Sequence, residues 1–217
     1  MSMIFSKLSQ GNTPILPNLF LTVCILLVSC APKVIAVPER EGIDLRDELI
    51  RKGGIFAIDA TFTIEFEKGG STMTGDAVLR LTPDDLNLRI YSLGFLASEI
   101  TSSGGLMKSV PPIEGTRLQL LVDGIRSSFF WWSIKDYEIN EVDTTSIVTN
   151  SWRRIVFNKR TLLPEKQEVL TADGREILIR YEDPRPIEGE WFPFKMRISL
   201  NPYVVNVAIK NLSYNTR

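Results

Sequence analysis

Residues 56–67 read FAIDATFTIEFE, and this stretch decides the fold. Its even positions are all apolar, and its odd positions carry Asp, Thr or Glu apart from Ala57. The apolar positions are Phe56, Ile58, Ala60, Phe62, Ile64 and Phe66. Such alternation predicts an extended strand with one buried and one solvated face. We therefore expect an antiparallel sheet with Phe56–Glu67 as a long strand.

The residues that follow predict two more strands in a meander. Lys68–Ser71 contains two glycines and predicts a turn, after which Thr72–Thr82 returns with Leu79 on its apolar side. Pro83–Asp85 predicts the next turn. Leu86–Tyr91 then places Leu86, Leu88 and Ile90 on one face. The next turn, residues 93–96, reads LGFL and is unusually apolar for a turn.

The second half of the chain is also strand-like. Turn signals, such as the segment from Asp183-Pro184 to Glu188-Gly189, separate five segments. These predicted strands are Ser146–Phe157, Pro164–Thr171, Glu176–Glu182, Phe194–Leu200 and Val204–Tyr214. We expect about nine to eleven strands in all, and a single antiparallel sheet of that size must curl because twist accumulates across strands. The predicted class is mainly β (α+β).

Two segments have helical patterns. Asp44 is an N-cap candidate for a short helix through Lys52. Within Thr116–Phe130, apolar residues recur at three- and four-residue spacing and form one stripe, namely Leu118, Leu121, Val122, Ile125 and Phe129. Residues 129–132 read FFWW, which is more aromatic surface than one stripe can bury. These rings could alternate across a strand, or Trp131 and Trp132 could lie at a membrane interface.

Composition excludes several classes of chemistry. The chain has 25 Lys and Arg against 26 Asp and Glu, so it has no electrostatic footprint for nucleic acid. It has no histidine, and its two cysteines are Cys24 and Cys30. Ser-His and Cys-His nucleophile systems and His-based zinc sites are therefore excluded. These absences favour binding or transport over catalysis, with no metal or cofactor.

A hydrolase that relies on carboxylates remains an alternative. Glu65, Glu67 and Asp76 lie on predicted strands that could face each other. Glycoside hydrolysis needs two carboxyl groups about 5 to 10 Å apart in a cleft. Nothing in the spacing nominates such a pair, and a carboxyl with a raised pKa in a polar cleft would be the signature of this alternative.

The N-terminal segment carries a targeting signal. Residues 19–30 read LFLTVCILLVSC behind a leader whose one charged residue is Lys7. This apolar run is shorter than the roughly 20 residues that a transmembrane helix needs, and it is typical of a secretory signal. The tetrapeptide LVSC at 27–30 resembles the lipobox of bacterial lipoproteins. That resemblance implies a signal peptide at 1–29, a lipidated Cys30 and a tether through residue 43. The alternative is an ordinary signal peptide with an incidental cysteine.

The order of elements resembles the LolA/LolB lipoprotein-carrier superfamily over residues 45–214. The likeness is carried by RRIVF at 153–157, LPE at 163–165, ADG at 172–174 and the segment 177–200. Upstream, Leu93-Gly94 falls where LolB-type proteins have a loop with an exposed leucine, and the segment from Pro112 to Gly124 resembles their lid helix. The aromatic run at 129–132 is a departure from the LolB pattern.

The resemblance implies a strongly curved, unclosed half-barrel over residues 44–217 with a helical lid over an apolar cavity for acyl chains. Leu93 and Phe95 would then form a membrane-inserting loop. The implied cavity lining is Phe56, Ile58, Phe62, Ile64, Phe66, Leu79, Leu88, Ile90, Leu118, Leu121, Val122, Ile125 and Phe129.

The same resemblance implies a monomeric, non-enzymatic lipoprotein that accepts lipoproteins or lipid from a periplasmic LolA-like carrier. Ala31 follows Cys30, where enteric bacteria use Asp for inner-membrane retention, and this favours the periplasmic face of the outer membrane. The alternative is a structural or sensory envelope lipoprotein that uses the same scaffold with a filled interior.

Overall fold

The computed structural model describes residues 36–40 and 42–216. All of the described helices and strands lie in one compact unit, Val37–Arg217, which contains its own hydrophobic core. The predicted signal peptide (1–29), Cys30 and the first part of the predicted tether lie outside the described residues. The expectations about them stay predictions.

The described residues form two helices and twelve strands. The helices are α1 (Leu45–Lys52) and α2 (Gly115–Phe129). The first five strands are β1 (Ile55–Lys68), β2 (Ser71–Leu81), β3 (Leu86–Ser92), β4 (Phe95–Ser103) and β5 (Leu106–Val110). After α2 follow β6 (Glu138–Val142), β7 (Thr145–Thr149), β8 (Arg153–Asn158), β9 (Pro164–Leu170), β10 (Glu176–Ile187), β11 (Glu190–Leu200) and β12 (Tyr203–Thr216).

The strands form one antiparallel sheet in the order β5-β4-β3-β2-β1-β12-β11-β10-β9-β8-β7-β6. Every neighbouring pair is consecutive in sequence except β1 and β12, so the sheet consists of two meanders joined by a single pairing. Within the described residues β5 and β6 are its two edges, and the sheet is unclosed. This arrangement is consistent with a curved half-barrel.

The sheet has two ends, which we name for later use. The Leu93 end carries the turns at Gly69-Gly70, Leu93-Gly94 and Asn201-Pro202 and the first turn of α2. The α1 end, at the opposite ends of the same strands, carries α1 and the turn at Pro83–Asp85. Strand β1 has 14 residues, and at about 3.3 Å per residue the two ends are at most about 45 Å apart.

One face of the sheet, the inner face, is buried by α2 and the residues that follow it. Alternation in β1 points Ile58, Ala60, Phe62 and Ile64 inward, and all four are buried. The Phe129 ring at the end of α2 lies 5.7 Å from the Phe62 ring and 6.1 Å from the Phe192 ring. The aromatic contacts continue from there to Trp132. The inner face is thus a packed core.

Helix α1 begins at the predicted cap and is held to the sheet by ion pairs. The Asp44 carboxylate accepts a hydrogen bond from the Arg46 backbone N–H at 2.8 Å. At the other end of the helix, Lys52 is buried, and its Nζ lies 2.9 Å from Glu190 at the start of β11. The same Nζ lies 5.4 Å from the Trp131 ring and 5.7 Å from the Trp132 ring. The charge of this buried ammonium is therefore stabilised by one carboxylate and by two aromatic rings.

The pKa values of this cluster reflect the competition between burial and pairing. Burial lowers the pKa of Lys52, and the hydrogen bond to Glu190 opposes that shift. Burial alone would raise the pKa of Glu190, but hydrogen bonds from Arg51 and Lys52 lower it to about 2. Glu190 is therefore ionised under any condition in which the protein functions.

Helix α2 approaches the sheet closely at one residue. A Cβ at Gly124 would lie 3.0 Å from Ile198 Cγ2 and 3.2 Å from Leu200 Cδ2, both on β11. Glycine lets the helix backbone come this close despite its low helix propensity. Gly124 therefore costs some helix propensity and allows the α2 backbone to pack directly against β11.

A buried arginine fixes the C-terminal end of α2. Arg153 on β8 is 4% exposed, and no carboxylate among the described residues pairs with it. Its guanidinium donates at 2.8–3.3 Å to the carbonyl oxygens of Ser127, Phe130 and Ser133 and to the Gln167 side chain. Burial lowers the pKa of Arg153 to about 10, so the group stays charged. A cation at this helix end satisfies carbonyls that the helix leaves free.

The predicted fold class is confirmed, and the strand count was too low. The alternating segments became β1, β2 and β3 almost at the predicted bounds. The predicted strand Ser146–Phe157 was wrong, because residues 150–152 turn the chain and make the hairpin β7–β8. The short edge strands β5 and β6 were missed. At the start of β1, Phe56 lies at a register shift and is only partly buried.

The predicted turn from Asp183-Pro184 to Glu188-Gly189 was too long, since β10 continues to Ile187 and the chain turns only at Glu188-Gly189. Strand β9 pairs with β10 only as far as Arg180, so the rest of β10 has a free edge on that side. Pro184 and Pro186 pair with β11 on the other side, opposite Pro193 and Trp191. Proline is tolerated in a strand where no neighbour needs its N–H.

The aromatic run 129–132 is neither a strand nor an exposed interface. All four rings are buried, with Phe129 and Trp131 fully inaccessible. The Trp131 ring contacts Trp132 at 5.0 Å and Phe157 at 5.6 Å. The residues after α2 fold back beneath α1, which hides more aromatic surface than a helical stripe could.

Replacing Arg153 by Met should lower the free energy of unfolding by about 3 kcal/mol, because three buried carbonyl oxygens lose their donor. The measurement is chemical denaturation followed by circular dichroism. Arg154→Met is the matched control: Arg154 is half-exposed and pairs with Glu168 at 3.4 Å, so its loss should cost less than about 1 kcal/mol. Equal losses in the two variants would contradict the proposed role of Arg153.

Candidate functional site

The β3–β4 turn places a leucine in a conformation that favours glycine or asparagine. Leu93 has φ 51° and Gly94 has φ 82°, and Ser92 pairs with Phe95 across the turn. These angles are typical of a type I′ hairpin turn, in which Asn-Gly is the preferred sequence. A left-handed conformation costs an L-residue such as leucine about 1 kcal/mol or more. Leu93 is also 95% exposed, so it gains nothing from burial in return.

Further apolar side chains surround this turn. Phe95 is 78% exposed and Leu96 is 54% exposed. Met73, at the start of β2, is 63% exposed and pairs with Phe66 of β1. Separate exposed apolar side chains are ordinary on a protein surface, whereas a group of them at one end of a sheet marks a contact surface.

The register shows that part of this group continues the inner face. Met73 lies four residues before the buried Ala77 and on the same face of β2, and Phe66 follows Phe62 and Ile64 on the corresponding face of β1. The packed inner face therefore ends at the Leu93 end in apolar side chains that are progressively more exposed. We call Phe66, Met73, Leu93, Phe95 and Leu96 the apolar rim.

Most of the predicted cavity-lining residues are buried in the core. Eleven of the thirteen have less than a tenth of their surface exposed, and Phe56 and Phe66 are partly buried. We describe five cavities, and Leu79 is the one predicted residue that lines any of them. For the other twelve residues, a role in lining a ligand cavity stays a prediction.

The cavities of the described residues lie elsewhere. One of about 580 Å³ lies on the outer face of β1–β3 and β12, lined mainly by polar side chains that include Arg80 and Asn211. A smaller one, of about 280 Å³, lies at the α1 end between α1 and the residues after α2. Ile50 and Trp132 line it. All five are open to solvent, and none of them lies within the packed inner face.

The candidate carboxylates Glu65, Glu67 and Asp76 are on the outer face, and Glu67 and Asp76 are engaged in ion pairs. Glu67 accepts hydrogen bonds from Arg197 and Asn206, which lower its pKa. Lys210 lies 2.6 Å from Asp76 and lowers the pKa of Asp76. Burial raises the pKa of Asp123 on α2. It does not line any of the five cavities.

The described residues contain no group of three or more His, Cys, Asp or Glu side chains placed to hold a metal ion. Among these residues there is also no helix with the length and hydropathy needed to cross a membrane. Cys30, the predicted lipid attachment site, lies in the part of the chain that the structure does not describe.

Sequence reasoning identified part of the apolar rim. It singled out Leu93 and Phe95 because an apolar turn is unusual, and both side chains are exposed. It missed Met73, although Met73 lies on the same face of β2 as the buried Ala77 and Leu79. The alternation of the inner face was therefore visible in the sequence. The position along a strand at which burial ends was not visible, because it depends on how far α2 covers the sheet.

Comparison with known proteins identifies the fold. No protein-family model matches the sequence, and no curated protein is significantly similar to it in sequence. A LolA superfamily protein from Nitrosomonas europaea superposes with a TM-score of 0.51 at 11% identity, covering 79% of this chain and 94% of that one. A DUF1329 family protein from Desulfovibrio piger gives a TM-score of 0.52 at 13% identity, covering 83% and 94%.

A third similar structure is an outer-membrane lipoprotein-sorting protein domain from Vibrio parahaemolyticus. Its TM-score is 0.50 at 11% identity, covering 79% of this chain and 92% of that one. The chain therefore shares the fold of these structures, which supports the resemblance to LolA/LolB proteins. At these identities the likeness establishes the fold and leaves the function to the site itself.

Replacing Leu93 by Asn should raise the free energy of unfolding by about 0.5–1 kcal/mol, because asparagine tolerates the left-handed conformation. Denaturation with urea measures this change. Leu93→Ala is the control, since it removes the same exposed side chain and keeps the unfavourable φ. A gain of equal size in the alanine variant would show that the conformation of Leu93 carries no strain.

Proposed function

We propose that this protein binds the acyl chains of lipoproteins or other lipids and inserts them at the outer membrane, acting through the apolar rim. The observation that carries the proposal is Leu93, an almost fully exposed leucine in a conformation that disfavours it. Strain of this kind clusters at functional sites. A lipid environment supplies the burial that Leu93 lacks in water.

The position of the rim supports a path for acyl chains. The rim is continuous with the inner face through Phe66 and Met73, so a chain that enters at the Leu93 end meets apolar side chains from the start. Each methylene that leaves water contributes about 0.8 kcal/mol. Transfer by this route needs no covalent step, which fits a chain without histidine.

Helix α2 is the lid in this proposal. Its C-terminal end is held by Arg153, whereas its N-cap residue Glu114 makes no side-chain capping hydrogen bond. The first turn has no acidic residue and carries Arg117, which the helix dipole disfavours there. The N-terminal half of α2 therefore separates from the sheet more easily than the C-terminal half, and it lies at the Leu93 end.

The location and partners follow from the same proposal. A lipidated Cys30 would hold the protein on the periplasmic face of the outer membrane, and a LolA-like carrier would deliver the cargo. The lipoprotein-sorting domain of similar fold supports this assignment. In this role the protein acts as a monomer and has no enzymatic activity.

A second candidate function is favoured by the packed inner face. A structural or sensory envelope lipoprotein needs no cavity, and the core around Phe62, Phe129 and Phe192 is closely packed. In that case the apolar rim would contact a protein, and purified material would contain no lipid. The two candidates differ in whether α2 ever leaves the inner face.

Native mass spectrometry with lipid extraction distinguishes them, applied to residues 31–217, which lack the predicted anchor but include the whole compact unit. The proposal expects co-purified lipid, or mass adducts after incubation with lipid and an acylated lipoprotein. A mass that stays that of the free protein under both conditions contradicts lipid binding and favours the second candidate.

Replacing Leu93 by Glu should abolish insertion of cargo into vesicles and leave cargo binding intact, because a carboxylate at the rim resists entry into the bilayer. Transfer of an acylated lipoprotein to liposomes measures this effect. Leu106→Glu is the matched control, since Leu106 is a 72% exposed leucine at the α1 end. If the Leu93 variant delivers cargo as well as the Leu106 variant, the rim has no role in insertion.

A further inference from the structure

Two cations and a tyrosine lie beside the apolar rim. Lys68, the last residue of β1, is paired with Tyr203, the first residue of β12, and its Nζ lies 5.0 Å from the centre of the Tyr203 ring. The guanidinium of Arg117, in the first turn of α2, lies 5.5 Å from the same ring centre. Tyr203 therefore holds two cations at the Leu93 end.

These groups are on the same side of the sheet as the rim. Lys68 follows Phe66 at two-residue spacing and therefore belongs to the inner face, as does Tyr203, which precedes the buried Val205. Met73 is paired with Phe66, two residues from Lys68 along β1. Cations, tyrosine and exposed apolar side chains thus form one continuous surface.

One of these two cations has no carboxylate partner among the described residues. Lys68 makes no ion pair with any residue that the structure describes, and Arg117 pairs with Glu114 at 3.0 Å, where both side chains are exposed. The nearby Glu67 is occupied by Arg197 and Asn206. Glu65 has no ion pair among the described residues but lies on the outer face.

The α1 end has the opposite character. Its turns carry Asp84, Asp85 and Glu188, all exposed, and none of the three is in an ion pair within the described part of the chain. These acidic side chains disfavour contact between the α1 end and a negatively charged surface, which leaves the Leu93 end as the better side for such contact.

We propose that the Leu93 end docks onto a bilayer that carries anionic headgroups, with Lys68 and Arg117 at the headgroup level and Leu93 and Phe95 in the acyl region. This proposal rests on the proposed function and names its lipid class. Tyrosine and lysine at the edge of an apolar surface are typical of the membrane interface. Each cation near an anionic surface strengthens binding by about fivefold.

The test is co-sedimentation with vesicles of phosphatidylcholine alone and vesicles that also contain phosphatidylglycerol, using the chain from residue 30 with Cys30→Ser so that no acyl anchor is attached. The parent protein should bind the phosphatidylglycerol vesicles more tightly by about fivefold to 25-fold. High salt should remove the difference. A parent protein without this preference overturns the proposal and leaves an acidic protein as the partner of these cations.

The variants Lys68→Gln and Arg117→Gln should each weaken binding to phosphatidylglycerol vesicles by about fivefold and leave binding to phosphatidylcholine unchanged. Lys108→Gln is the matched control, because Lys108 is exposed, has no ion pair among the described residues and lies on the outer face opposite Thr101. Lys68→Arg should restore binding. Equal losses for Lys68→Gln and Lys108→Gln overturn the proposal, since they would indicate a general effect of net charge.

Leu93→Glu separates this inference from the proposed function. If it abolishes binding to both kinds of vesicle while Lys68→Gln and Arg117→Gln bind normally, the apolar rim acts without the cations and the present inference alone fails. If Leu93→Glu binds both kinds of vesicle as the parent does, the insertion role of the rim fails as well.

Discussion

The pairing of β1 with β12 is the interaction on which the rest of the structure depends. It is the one strand pairing that joins the meander β1–β5 to the meander β6–β12, and it runs from Ile55 opposite Thr216 to Lys68 opposite Tyr203. Without it, the inner faces of the two halves would not form one surface, and α2 could not contact both Phe62 and Ile198. Pairing the beginning of the domain with its end incurs a large loop-closure entropy, which predicts slow folding.

The proposed function places opposite demands on α2, which packs the core closely and would also have to admit lipid. The packing of Gly124 against β11 and the hydrogen bonds of Arg153 stabilise the closed arrangement, and both act on the second half of the helix. The first half has neither a side-chain cap nor a favourable charge. Stability is thus unevenly distributed along one helix, as is common where part of a protein must move.

The sequence predicted those parts of the fold in which one periodicity extends over many residues. The strict alternation of β1 and the apolar stripe of α2 each depend on a single face, so both were located to within about two residues. The edge strands β5 and β6 have five residues each and little apolar pattern, since an edge strand buries little. Residues Pro184 and Pro186 were misread because only the topology shows that their side of β10 is free. The exposed Leu93 was predictable because the turn around it is apolar. The hydrogen bonds of Arg153 were not predictable, because they depend on tertiary contacts that no local pattern encodes.

The described chain meets the domain at the end of the sheet opposite Leu93. The Arg40 backbone N–H donates to the Arg160 carbonyl in the β8–β9 connection, and this connection lies at the α1 end. In the proposed lipoprotein, the N-terminal attachment and the apolar rim would therefore lie at opposite ends of the same sheet. The rim would then be the part of the molecule remote from the point of attachment, where it is free to meet whatever approaches from the periplasm.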